Sequence, residues 1–289
     1  MRISQFLILG VLCATALAWA GNSRAAEGYD NCSGFIDALP ATISSQGVWC
    51  LRKNLSTSIA SGDAISVLAN NVTIDCNNFK VGGLAGGPDT AAAGIHAASR
   101  QNITIRHCNM RGFGSGVMLI GGGGHIVEDN TIDNSTRAGI AVSAQFSTVR
   151  RNRVRDSGGA LTGAEPNAGI VVGGDVDVIG NIVSGVAANP AAGDADVYGI
   201  RMAEPGDGSI SGNRISALAP VGAGIAVAIK VEGSGRAIIR DNHLMGVADP
   251  GSVAVLCGGN RNTARDNIMG GYLTGISGCL SDGDTFNGF

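Results

Sequence analysis

A short phrase recurs along this chain at intervals of 22 to 32 residues: a strand-like run, an asparagine, an apolar residue two places on, a turn, and then Gly-Ile or Gly-Val. The strand-and-asparagine half reads Ile126-Val127-Glu128-Asp129-Asn130-Thr131-Ile132 and returns around Asn152, Asn181, Asn213, Asn242 and Asn267. The other half sits at Gly94-Ile95, Gly116-Val117, Gly139-Ile140, Gly169-Ile170, Gly199-Ile200, Gly224-Ile225 and Gly275-Ile276. A unit this short cannot bury its own apolar face. Successive copies must therefore stack, and strand-type content makes the stack a β-solenoid.

Within each run Ile or Val takes every second place, so one face of the strand is buried. Stacked about 4.8 Å apart, the coils hydrogen-bond to one another and line a single core. Asparagine tolerates left-handed turns and carries both a donor and an acceptor. Six in register, with Cys108 in the slot one coil earlier, predict a ladder of amides at one corner. The 46 glycines among 289 residues and the 4% of aromatics suit tight turns around small or β-branched core residues. The expectation is an all-β, single-domain solenoid of about eight coils over 64–280, preceded by an N-terminal cap at 27–63.

With this ladder, the Gly-Ile strands and the entry segments Asn71-Val72-Thr73-Ile74-Asp75-Cys76 and Asn102-Ile103-Thr104-Ile105-Arg106, the chain resembles the right-handed parallel β-helix proteins of the pectate-lyase-like superfamily. It is most similar to the small secreted bacterial members. That superfamily holds lyases, hydrolases, epimerases and proteins without known chemistry, so function has to be argued from side chains. The resemblance implies that a substrate groove lies over the Gly-Ile strands, walled by the loops that enter them. Here the long ones are 156–168 and 184–198.

Residues 1–26 read as a secretory signal: Arg2, an apolar run from Phe6 to Ala18 too short to span a bilayer, and the small-x-small site Ala18-Trp19-Ala20. The mature protein is thus expected to be secreted or periplasmic, with no transmembrane segment. Six cysteines remain after it, an even number that suits disulfides in an exported chain. Cys32–Cys50 brackets the cap. Cys257–Cys279, one coil length apart, should pin the other end. Cys76 and Cys108 are open between a free thiol pair and a third bridge. The formal charge is −3, and without Arg2 and Arg24 the balance is 18 basic to 23 acidic residues. This excludes a strong field for nucleic acid.

The outward residues of the Gly-Ile strands are predicted as His96, Met118, Ala141, Val171, Arg201, Ala226, Ala254 and Ser277, with none of the three lysines, Lys53, Lys80 and Lys230, among them. Arg201 is the natural centre. Tyr198, Asp194, Asp196 and Glu204 are the candidate catalytic partners, and His96, Glu165 and Asp175 the candidate substrate contacts. A uronate lyase or epimerase must neutralise a carboxylate and remove the proton beside it. Arg201, or a calcium ion on Asp194 and Asp196, would do the first, and Tyr198 the second. No metal is selected by the spacing. A glycoside hydrolase needs two carboxyls across the bond, drawn from Asp194, Asp196, Glu204 and Asp175. The alternating charges Arg106, Glu128, Arg150 and Arg111, Asp133, Arg155 read as ion ladders between coils. The expected function is binding or processing of a polysaccharide. The alternative is a non-catalytic envelope or surface module whose small-residue strip holds a partner.

Overall fold

A computed structural model of the protein describes residues 29–161, 167–233 and 235–287. The proposed signal at 1–26 and Glu165 lie outside the described residues. From Cys32 onward the chain winds through three parallel sheets of ten, eleven and ten strands. In each coil the strand that carries Gly-Ile, or a small residue and an aliphatic in its place, lies in the first sheet. The strand leading to the asparagine lies in the second, and the strand leaving it in the third. Ten strands in one sheet are nine turns from end to end. This is the right-handed parallel β-helix that the repeat predicts. Among the described residues no helix is long and apolar enough to cross a membrane.

The alternation sets the core. In the first sheet Ile95, Val117, Ile140, Ile170, Ile200, Ile229, Val255 and Ile276 stand in register. All but Ile276 are fully buried. Val127, Val149, Val178 and Ile210 do the same work in the second sheet, and Ile132, Val154, Val183 and Ile215 in the third. The residue before each first-sheet isoleucine must be small. A Cβ on Gly199 would lie 2.4 Å from Ile215 Cγ2 and 2.6 Å from the Ala228 carbonyl oxygen.

The eight coils expected over 64–280 are extended at both ends. Ala41–Ile43, Gly47–Cys50 and Leu55–Ser56, inside the expected cap, pair in parallel with the coil that follows. Thr274–Ser277, Leu280–Asp282 and Thr285–Asn287 close the far end. Three disulfides join neighbouring coils: Cys32–Cys50, Cys257–Cys279 and the undecided pair Cys76–Cys108. They fit folding in an oxidising compartment.

The six asparagines form one continuous row. Asn152 Nδ2 donates to Asn181 Oδ1 at 3.0 Å, and Asn181 Nδ2 donates to Asn213 Oδ1 at 3.0 Å. Each backbone N–H donates to the same oxygen, as from Asn181 to Asn213 at 2.8 Å. Each Nδ2 also reaches a strand carbonyl of the preceding coil, as Asn181 does to Val149 at 2.9 Å. All six are buried. The row begins with the Cys108 N–H on Asn130 Oδ1. It ends on a residue outside the repeat: Asn267 donates through N and Nδ2 to Asp284 Oδ1, at 2.9 and 2.8 Å.

Candidate functional site

The outward row of the first sheet is fixed by its register: Ser66, His96, Met118, Ala141, Val171, Arg201, Lys230, Leu256 and Ser277. Two predicted members are corrected. Ala226 and Ala254 face inward and are buried, and their places belong to Lys230 and Leu256. For Ala226 the misreading came from Gly224-Ile225, which imitates the repeat but lies before the strand Ala226–Val231. The small slot there is filled by Ala228 and the apolar one by Ile229. A lysine therefore does fall on the row, one coil from Arg201.

That neighbour changes the site. Arg201 Nε donates to Glu232 Oε1 at 3.0 Å, and Lys230 Nζ lies 3.2 Å from the same oxygen. Lys230 also donates to the Tyr198 hydroxyl at 3.3 Å, and that hydroxyl donates to Asp196 Oδ2 at 2.9 Å. Both cations lie over the Tyr198 ring, Arg201 Cζ at 5.4 Å and Lys230 Nζ at 4.8 Å from its centroid. One connected set, Arg201–Glu232–Lys230–Tyr198–Asp196, thus crosses two coils. Partial burial works to raise the Glu232 carboxyl's pKa. The hydrogen bonds and charges of Arg201 and Lys230 outweigh it and hold the group below its ordinary value.

Of the predicted residues, Arg201, Tyr198 and Asp196 meet here. Asp194 does not join them, since its Oδ1 accepts the Ala223 N–H at 2.8 Å and holds a turn. Asp175 sits past the other end of its strand and accepts the Asp207 N–H at 2.9 Å. Glu204 is exposed at the rim of a shallow depression of ≈ 170 Å³ floored by Ala141, Val171 and Gly173. His96 lies four coils from Arg201, about 19 Å at the usual strand spacing. There it meets Asp63 Oδ2 through Nδ1 at 2.9 Å, and Ser66 Oγ donates to the same oxygen at 2.6 Å.

Asp194 and Asp196, the pair expected to hold calcium, are both engaged by protein donors. Asp196 Oδ1 accepts the Ile225 N–H at 2.8 Å while its other oxygen takes the tyrosine. Among the described residues no three His, Cys, Asp or Glu side chains gather to hold a metal. The ion ladders are structural: Arg150 pairs with Glu128 at 2.7 Å, and Asp133 lies between Arg111 and Arg155 at 3.4 and 3.7 Å. Arg106 departs from the expected partner and pairs instead with Asp75, at 2.7 Å.

Residues 43–197 match the sequence family described as "Right handed beta helix region". No curated protein matches the sequence. Among solved structures, the chain is similar to an alginate lyase from Paenibacillus sp. str. FPU-7, with 16% identity, 86% of this chain and 98% of that one covered, and a TM-score of 0.39. It is also similar to the A-module of the mannuronan C-5 epimerase AlgE4 of Azotobacter vinelandii, with 10% identity, coverage of 91% and 93%, and a TM-score of 0.42.

Proposed function

The chain belongs to the right-handed β-helix family, and on that footing we propose that it binds an acidic polysaccharide along its first sheet, with a uronate carboxylate held at Arg201 and Lys230. The observation that carries this reading is the pair of cations on adjacent coils, set beside an apolar depression on the same face. An arginine can fork onto a carboxylate, and a lysine adds a point charge beside it. The small floor residues Ala141, Val171 and Gly173 let a sugar ring approach closely.

Tyr198 decides between holding and cleaving. For elimination, its oxygen takes the proton beside the sugar carboxylate while its own proton passes to Asp196. The electron pair then forms a carbon–carbon double bond and expels the glycosidic oxygen, which leaves as a hydroxyl by taking a proton from water. Yet Tyr198 is only 4% exposed, beneath the two cations, which favours binding over cleavage. The hydrolase reading has less support, because both oxygens of Asp196 already accept protein hydrogen bonds.

The test is binding of uronate and neutral oligosaccharides to the purified protein, with absorbance read for unsaturated products and reducing ends for hydrolysis. Uronate binding should be lost in Arg201→Ala and in Lys230→Ala, and any new absorbance should vanish in Tyr198→Phe. Uronate affinity unchanged in both cation variants would overturn the reading. The second reading, a surface module without catalysis, is favoured by the apolar run Met118, Ala141 and Val171. It would be recognised by protein or envelope binding that Ala141→Arg blocks while Arg201→Ala leaves it alone.

A further inference from the structure

The outward positions of the third sheet carry a different charge from the rest of the chain. Lys80, Arg111, Arg153, Arg155 and Arg214 all stand exposed there, against one carboxylate, Asp133. The whole chain has a formal charge of −3, so this face is a local reversal. At its N-terminal end lies a pocket of ≈ 260 Å³ lined by Ser56, Thr57, Lys80, Gly82, Leu84 and Arg111, among others. We propose that this pocket binds a phosphate group.

Four features argue for it. First, Lys80 pairs with Asn109 and Gly82 with Arg111, so the two cations are diagonal neighbours. Their backbones are about 7–8 Å apart, within reach of one ligand for side chains this long. Second, Gly82 keeps the space between them open. A Cβ there would lie 2.9 Å from Ser56 Oγ and 3.4 Å from Lys80 Cε. Third, the neighbouring carboxylate does not cancel the charge. Asp133 is shared between Arg111 and Arg155, at 3.4 and 3.7 Å, and the Arg111 side chain stays half exposed. Fourth, two cations with two hydroxyls match an oxyanion of charge near −2 that accepts in several directions. A carboxylate would be satisfied by one arginine fork. The volume, just below the usual range of small-molecule sites, suits a single phosphorylated unit. The site is on another sheet from Arg201 and stands or falls separately from uronate binding.

The experiment titrates inorganic phosphate into the intact protein at constant ionic strength, with calorimetry and the backbone amide signals of Gly82 and Leu84 as readouts. Saturable binding is expected, weakened about tenfold or more by Lys80→Ala and by Arg111→Ala. Arg240→Ala, an exposed arginine of the second sheet paired with Asp241, should leave it unchanged. A glycosyl phosphate and vesicles of phosphatidic acid against phosphatidylcholine are then compared. The source is whichever binding inorganic phosphate displaces, and displacement of neither assigns the free anion. Absence of saturation with inorganic phosphate would overturn the proposal. So would equal binding by the wild type and the Lys80→Ala and Arg111→Ala variants, provided thermal melts show that both variants are folded.

Discussion

The asparagine corner and the Arg201 face belong to the same coils and obey opposite rules. At the corner every rung repeats the one before it: a buried amide gives two N–H groups to the next oxygen and reaches back to a strand carbonyl. On the face no rung repeats. Met118, Ala141 and Val171 are followed by Arg201 and Lys230, and Tyr198, Glu232 and Asp196 gather around those two alone. Repetition marks what holds the stack together, and its interruption is where the proposed ligand would be recognised. Two independent chemistries are thus carried by one scaffold, and substitutions should separate them.

The largest effect should come from the corner. Asn181→Ala strands the Asn152 N–H and the Val149 carbonyl in a dry core and cuts the row. Each buried orphan costs about 1–3 kcal/mol, so a loss of roughly 2–6 kcal/mol is expected in chemical denaturation. A loss below about 1 kcal/mol would show that the ladder is ornament and break the comparison. Gly199→Ala follows, at about 1–3 kcal/mol for overpacking against Ile215 and the Ala228 carbonyl. Ala228→Gly, in the same slot one coil on, should cost less, because it removes a methyl and forces nothing to shift.

Arg201→Ala and Lys230→Ala should lower stability by only about 0–1 kcal/mol, as expected of partly exposed ion pairs, while removing uronate binding. Melting temperatures that fall as far as in Asn181→Ala would place these residues with the scaffold. The smallest effect concerns Glu232. Its folded pKa is depressed, so its contribution is complete above the ordinary glutamate value of 4.5 and fades as pH falls through the lower folded value. The stability gap between wild type and Glu232→Gln should stay constant from pH 7 to about 5 and narrow below 4.5. A gap that widens on acidification would reverse the assigned sign.

The corner was legible because its constraint acts on every coil: only a short amide makes those bonds, so asparagine returns six times. The face was half legible. Arg201 and Tyr198 follow from the Gly199-Ile200 strand, but Lys230 and Glu232 do not. The slot before the isoleucine demands a small residue, not glycine itself, and Ala228 fills it while Gly224 serves a turn. Placing the strand four residues early hid both charged residues. Ile229 and Val231, both buried in the core on either side of Lys230, carry the correct register. Asp284 escaped notice because an aspartate can end the row but cannot extend it. Asp75 escaped as the partner of Arg106, since the coil there holds extra residues between Asp75 and Lys80.

The row of amides also has an electrical sense. Every Nδ2 points toward the C-terminal end and every Oδ1 toward the other, so the small dipoles add and their positive pole arrives at Asn267. The carboxylate of Asp284 sits on that pole, as an acidic side chain does at the start of a helix, while a neutral backbone N–H suffices at the negative pole. Any whole coil bearing an asparagine could be duplicated or removed between Asn130 and Asn267 without leaving a donor orphaned or reversing the polarity. The length of this solenoid is therefore open to evolutionary drift, whereas its two termini, one anionic and one neutral, are not interchangeable.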